Sequence, residues 1–382
     1  MSRRMAKSLT CIDLFSGAGG FSLGFRQAGF EIAAAIDRSE AALETYSHNL
    51  DDVITVRADI KDESPEKLFE RAAITPGDID VVIGGPPCKG FSVAGKMDPS
   101  NPKNSLVANY INIVSKIDPK AVVMENVTGI LSMRDGEYRD RIVAAFRQEG
   151  YDISTEPAIL NAADYGVPQQ RKRVFFLASR EGKLKPPKPT HYNPASDHDQ
   201  GSESTADPWI STKDAIGDLS FLRYGEKATE YQQPSHTEYQ GIMRKNARDR
   251  PFNHKATDHT DRVRERFEQL AAGDTGEDLP PKYQTKKHSL QRWHPDKPAP
   301  TVTTLPDDFI HYQRPRIPTV RELARLQSFP DWFKFKGPRT TGGKRRKNTV
   351  PQYSQVGNAV PPRLAKQVGK AVINQLQTVT VA

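Results

Sequence analysis

The first 180 residues alternate short apolar runs with helix-patterned stretches, and few architectures accept that order. Residues 9–15, 31–36, 53–56, 79–83 and 121–124 read as strands, with 174–178 (VFFLA) a later one. Helical spacing follows the first run as far as Gln27 and covers residues 40–49, 105–117 and 139–148. Within 105–117, Leu106, Tyr110, Ile113 and Ile117 recur on one face. Strands this uniformly apolar must be covered on both sides. The expected fold is therefore α/β, with a doubly wound, mostly parallel, Rossmann-like sheet.

Composition changes near Ser179. Residues 183–300 are rich in Pro, His, Asp, Gln and Thr, and their one helical candidate is 261–272. That stretch is too long for a linker and reads as a second, smaller, loop-rich domain. Regular structure returns at Thr319 and Glu322, spaced as a capping box that opens a helix through Gln327, and Phe329-Pro330 stops it. Pro361-Pro362 then leads into an amphipathic helix to about Leu376. The expected division is 1–185, 186–315, 316–351 as a hinge and basic segment, and 352–382 returning to the first domain.

No apolar run approaches the ~20 residues that span a bilayer. The start MSRRMAKSLT leads straight into a strand without a signal peptide's apolar stretch, so a cytoplasmic protein is expected. Two cysteines and nine scattered histidines show neither disulfide nor metal-ligand spacing, so no metal is expected and Cys11 reads as a core residue. Net charge is +8, which suggests a polyanionic partner. Residues 316–350 hold ten Lys or Arg against Glu322 and Asp331, an excess as large as that of the whole chain. A solvated charged surface explains such a run equally well.

Several strand ends carry chemistry-bearing residues. After the first comes Asp13-Leu-Phe-Ser-Gly-Ala-Gly-Gly20, a turn on which a cofactor can lie against backbone at a helix amino end. Asp37 follows the second strand, where a carboxylate takes ribose hydroxyls, and Asp59 follows the third, where it could accept from an adenine amino group. Each aspartate would also serve as a helix cap. The fourth strand runs into Gly84–Ser92, GGPPCKGFS, whose two prolines stiffen the chain before the Cys88 thiol. A tight Gly-Pro turn with an incidental cysteine fits that nonapeptide too. Glu125 ends the fifth strand, either as a cap or as an acid beside the thiol. Arg171 and Arg173, in QQRKR, precede the late strand and could hold a phosphate or buttress a carboxylate.

In order, DLFSGAGGFS, Asp37, Asp59 in ADI, GGPPCKGFS, ENV, QQRKRVF, TVRELARLQSFP and YSQVGNAVPP closely resemble the motif series of the cytosine-5 DNA methyltransferase family. The resemblance covers about residues 9–180 and 298–378, and it implies a mechanism. Cys88 as thiolate adds to carbon 6 of a flipped-out cytosine, making carbon 5 nucleophilic. Glu125 hydrogen-bonds the ring nitrogen and exocyclic amine, while Arg171 and Arg173 fix the base and its phosphate. S-adenosylmethionine, leaving as S-adenosylhomocysteine, is held by Phe15, Ser16, Gly17, Ala18, Gly19, Gly20, Asp37, Arg38, Asp59, Ile60, Pro86, Leu106, Asn358 and Ala359. The middle, about 186–315, becomes a target-recognition domain, and the basic stretch 339–347 a phosphate contact. The implied partner is double-stranded DNA, with the chain a monomer, no membrane, and a cognate restriction endonuclease acting separately.

Two residues depart from the family pattern. Lys89 stands where Gln usually follows the thiol, and Arg38 where many relatives stack an aromatic on adenine. Two other readings share the motifs: an RNA cytosine-5 methyltransferase of the same fold, and an inactive DNA-binding relative. A nicotinamide oxidoreductase would explain the glycine turn alone.

Overall fold

The structure, a computed structural model, describes residues 8–87, 106–195, 206–247, 249–285, 289–340 and 349–379. The chain divides into two compact units, Met1–Leu160 with Lys172–Lys188 and Leu364–Ala382, and Asn161–Arg171 with Pro189–Arg363. The residues expected as a hinge, 316–351, thus fall inside the second unit, and the return to the first comes at Leu364.

The first unit is built on one sheet. Its strands are β1 (Thr10–Leu14), β2 (Glu31–Asp37), β3 (Ile54–Arg57), β4 (Val81–Gly84), β5 (Ala121–Val127), β6 (Asp152–Ile153) and β7 (Ala158–Asn161). A separate short strand, β8 (Gln169–Gln170), precedes β9 (Lys172–Ser179). The order is β3-β2-β1-β4-β5-β9-β6, with β7 also on β9. The pairs from β3 through β5 are parallel, whereas β9 runs antiparallel to β5 and β6. The sequence order reverses between β1 and β4, and an open α/β sheet binds ligands outside the carboxyl ends of its strands at that point.

Helices α1 (Gly20–Ala28), α2 (Glu40–Asn49), α3 (Pro65–Ala72), α4 (Leu106–Ile117) and α5 (Glu137–Gln148) cover this sheet. Val82, Ile83, Val122, Val123 and Phe176 are fully buried, as strands covered on both faces require. The missing side chain of Gly84 is a packing requirement: a Cβ there would lie 2.5 Å from the Leu14 carbonyl oxygen and 2.7 Å from the Tyr110 ring.

Among the described residues the second unit holds only short elements. They include α6 (Thr212–Ile216), α7 (Glu238–Arg244), α8 (Asp261–Glu268), α9 (Val320–Leu326) and α10 (Gln352–Asn358). The expected capping box is present: Thr319 accepts from the Glu322 amide and Glu322 accepts from the Thr319 amide. The last helix, α11 (Pro362–Val379), crosses back into the first unit, where a Cβ on Gly369 would lie 2.9 Å from Ala28 of α1. Among the described residues no helix is long and apolar enough to cross a membrane.

Candidate active site

The carboxyl ends of β4 and β5 and the amino end of the antiparallel β9 bring the predicted acid and one arginine together. Glu125 lies on β5 with its side chain 12% exposed, and Arg173, 15% exposed, reaches it from β9 with Nε 3.1 Å from Oε1. Burial lowers the Arg173 pKa, and the Glu125 charge works against that shift. The other carboxylate oxygen faces the loop after β4: a Cβ on Gly85 would stand 3.3 Å from Glu125 Oε2. That loop is fastened by a residue whose part the sequence did not disclose. Asn126 is buried and donates from Nδ2 to the Pro86 carbonyl at 2.8 Å, while its Oδ1 accepts from the Val127 amide at 2.9 Å. The carboxylate, the stiffened Gly85-Pro86-Pro87 loop and the guanidinium therefore form one rigid corner. Cys88, next along the chain, lies outside the described residues, as does Lys89.

A second group sits at the reversal point. Phe15, Gly17 and Gly19 have φ of 62°, 54° and 93°, so the turn between β1 and α1 uses the left-handed region three times. Asp37 anchors it: Oδ2 accepts from the Gly17 amide at 2.9 Å and Oδ1 from the Ser39 amide at 2.7 Å. Burial raises the Asp37 pKa, against the pull of those amides. Helix α1 has no side-chain N-cap, and the buried Ser16 hydroxyl has no hydrogen-bond partner among the described residues. An open helix end beside an orphaned hydroxyl suits a ligand with polar, anionic ends. Arg38, 72% exposed, stands 3.7 Å from the Asp59 carboxylate. Ala18 and Gly20 are buried in the turn, and Pro86 is buried in its own loop. Ile60 and Leu106 belong to the hydrophobic core, and Phe15 packs against it.

A model of the C-5 cytosine-specific DNA methylase family matches residues 9–374. The chain belongs to that family. It is 37% identical over 383 residues to the type II methyltransferase M.DdeI of Desulfomicrobium norvegicum, covering 95% of this chain and 88% of the relative. The type II methyltransferase M.XorII of Xanthomonas oryzae is 35% identical over 392 residues, covering 96% and 85%. Among solved structures, a prophage-encoded E. coli protein assigned as a DNA modification methyltransferase superposes with a TM-score of 0.73 at 28% identity, over 97% of this chain and all of that one. Spodoptera frugiperda DNMT2, at 15% identity and a TM-score of 0.55, shares the fold. The chain is thus a DNA (cytosine-5)-methyltransferase with type II modification enzymes as relatives.

In this methyltransferase the expected pair of arginines separates. Arg171, proposed from sequence as a base or phosphate contact, is 2% exposed and turned inward. Its guanidinium donates to the carbonyls of Val302 (3.0 Å), Gly357 (3.0 Å) and Ala359 (3.3 Å), all in the second unit. Gln169 joins this clamp by accepting from the Val302 amide at 2.7 Å and donating to Gln327 at 2.9 Å. Gln327 in turn donates to the Val356 carbonyl at 2.8 Å. Arg171 therefore grips the backbone on both sides of Asn358, whose own side chain is exposed. The basic run divides similarly: Arg316, Arg321 and Arg325 are fully buried. Arg316 pairs bidentately with Glu322 at 2.8 and 2.7 Å, and Arg325 bonds both Asp218 and Asp331. These three face the interior instead of a phosphate. Of the expected DNA-contacting stretch 339–347, residues 341–347 lie outside the described residues.

Proposed function

We propose that this methyltransferase acts on cytosine within a specific duplex sequence, as a monomer, with Cys88 as the covalent nucleophile and Glu125 as the group that steadies charge on the ring. Carbon 5 of cytosine is a poor nucleophile while the ring is aromatic. The Cys88 thiolate forms a bond to carbon 6, and the electron pair of the 5–6 double bond becomes available at carbon 5. Glu125, which must take up a proton for this step, donates a hydrogen bond to ring nitrogen 3, where negative charge would otherwise accumulate. The later loss of the carbon 5 proton restores the double bond and expels the thiolate. A stacked base cannot reach such a corner, so the cytosine must swing out of the duplex.

S-adenosylmethionine, when bound, supplies an electrophilic methyl group. The residues suited to hold it are the Phe15–Gly20 turn, Asp37 for the ribose, and Arg38 with Asp59 for the base. The uncapped start of α1 and the unpartnered Ser16 hydroxyl support that assignment. A modification role beside a separately acting nuclease fits the type II relatives.

One observation carries the reading: the half-buried Glu125–Arg173 pair lies against the loop that leads into Cys88, with Asn126 pinning that loop in place. Arg173 keeps the carboxyl aimed and leaves Oε2 toward the loop. The test is a covalent trap. With S-adenosylmethionine and duplex DNA containing 5-fluorocytosine, the protein should form a denaturation-resistant adduct that Cys88→Ser cannot form. Methyl transfer to RNA but not to duplex DNA would overturn the substrate; an adduct in the Cys88→Ser protein would overturn the nucleophile.

A further inference from the structure

Behind the cofactor turn lies a carboxyl group that the reaction does not use. Asp13, on β1, is 1% exposed. One oxygen accepts from the Ser22 hydroxyl on α1 at 2.6 Å. The other, Oδ1, is buried with no hydrogen-bond partner among the described residues, and the same holds for the Tyr46 and Tyr110 hydroxyls. Tyr46 walls the turn, since a Cβ on Gly19 would lie 2.8 Å from its ring, and Tyr110 packs on the end of β4, where a Cβ on Gly84 would lie 2.7 Å from its ring. No basic side chain bonds or ion-pairs with Asp13 among the described residues.

An ionised carboxylate is an acceptor only and is costly to bury unpaired. A neutral carboxylic acid escapes most of that cost, because burial penalises the charge far more than the polar group. We propose that Asp13 is kept as a neutral acid and acts as a positioning residue, stapling the end of β1 to the first turn of α1 and so holding the Phe15–Gly20 turn in the shape that receives the cofactor. The inference rests on the cofactor assignment above only for its consequence, not for the protonation itself. Burial pushes the Asp13 pKa up to about 7, with the Ser22 hydroxyl pulling it down and the Asp37 charge adding to the rise. The other titratable groups that sense Asp13 are Cys11 on β1, Tyr46 on α2 and Tyr110 on α4, all raised well above their ordinary values by burial first. All three stay neutral over pH 5–8, leaving Asp13 and Asp37 as the groups here that can change charge.

Asparagine copies the shape and the donor–acceptor pattern of a neutral aspartic acid but cannot ionise. Asp13→Asn tests the idea with two readouts. The first needs no cofactor. An acid protonated in the fold and ionised when unfolded lends stability that declines as pH rises from about 4 to about 7. The melting temperature of Asp13→Asn minus that of wild type should therefore grow across pH 5–7; a difference independent of pH overturns the proposal. The second is calorimetry with S-adenosylhomocysteine in buffers of different ionisation enthalpy. Wild type should take up part of a proton on binding at pH 8 and lose affinity toward high pH, up to tenfold per unit, whereas Asp13→Asn should do neither. Equal proton uptake by both overturns the linkage. Absence of binding by wild type counts against the cofactor assignment and leaves the melting test to decide on Asp13. Should Asp13→Asn fail to fold, Ser22→Ala decides: it removes a hydrogen bond that favours the charged form, so the wild-type inflection should move to higher pH, and no movement overturns the proposal.

Discussion

Arg171→Ala separates the inward reading of this side chain from the phosphate-contact reading that its place in a basic run suggests. The guanidinium serves three buried carbonyls, those of Val302, Gly357 and Ala359, at 3.0, 3.0 and 3.3 Å. Removing it orphans the first two, while the Ala359 carbonyl keeps only a long bond from Gln327 Nε2 at 3.4 Å. Each orphaned carbonyl costs about 1–3 kcal/mol, so the simple sum for two is roughly 2–6 kcal/mol before relaxation. Water entering the vacated volume would re-satisfy part of that set, so a loss of about 4 kcal/mol is expected. Arg171→Lys keeps the charge but lacks the planar fork, and should lose about 2 kcal/mol. The assay is built in. The three tryptophans, Trp209, Trp293 and Trp332, all lie within Pro189–Arg363, so fluorescence during denaturant unfolding follows the second unit alone. A change below about 0.5 kcal/mol, as for ordinary surface substitutions, would refute the clamp. It would restore the phosphate contact if DNA affinity also fell with a salt dependence reduced by about one charge.

The remaining predictions concern packing and acid. Gly84→Ala drives a methyl group toward the Leu14 carbonyl and the Tyr110 ring. Its expected cost is about 3 kcal/mol, and an unchanged melting temperature would mean the strands part freely there. In the second unit His254 and His311 are buried; burial lowers their pKa to about 4 and about 3. The unfolded chain binds protons near pH 6.5 that the folded one refuses, so stability is complete above that pH and falls as pH drops. At pH 5 the loss is about 2 kcal/mol for each histidine, from about 1.4 kcal/mol per unit over 1.5 units. Glu322, held well below the usual carboxylate range by Arg316 against the effect of its burial, keeps its charge through that window. Tryptophan-detected unfolding at pH 7.5 and pH 5 measures the slope, and equal midpoints would contradict the neutral assignment.

What the sequence disclosed and what it hid differ for physical reasons. Helix Glu40–Asn49 and the Thr319 capping box follow from local signals, a Ser39 cap and a Thr-x-x-Glu spacing, and both occur where the spacing puts them. Helix Pro65–Ala72 went unnoticed because it buries only Leu68, Phe69 and Ala72 beneath four charged residues, too little apolar surface to set up a period. Helix Gln352–Asn358 buries Tyr353, Gln355, Val356 and Gly357 in a polar context, which periodicity does not read as a core face. Strand direction is not a local property either. The VFFLA run is as apolar as its parallel neighbours, yet β9 lies antiparallel to β5. In the site, Glu125 and Arg173 belong to the same corner as their strand-end positions suggested. Arg171 does not. Its fate depends on carbonyls 131 to 188 residues away, which no window of sequence contains.

The interior arginines also change what the net charge can mean. A surplus of +8 was a reason to look for a phosphate-binding face in residues 316–350, but three of those arginines are spent inside. Buried ion pairs seldom outdo apolar packing in stability, because desolvation offsets the attraction. What they supply instead is direction, since a guanidinium accepts partners only in its plane. The second unit has little sheet to fix its shape and few helices longer than two turns. Arg325 ties Asp218, 107 positions away, to Asp331, and Arg321 holds the carbonyls of Phe252 and Pro330 at 2.7 and 3.0 Å. Side chains thus provide the long-range hydrogen bonds that ladders provide in the first unit. A loop-rich unit built this way can vary its exposed loops while an inward set of arginines keeps their roots in place. The charge that meets phosphate has to be sought on those loops, not in the total.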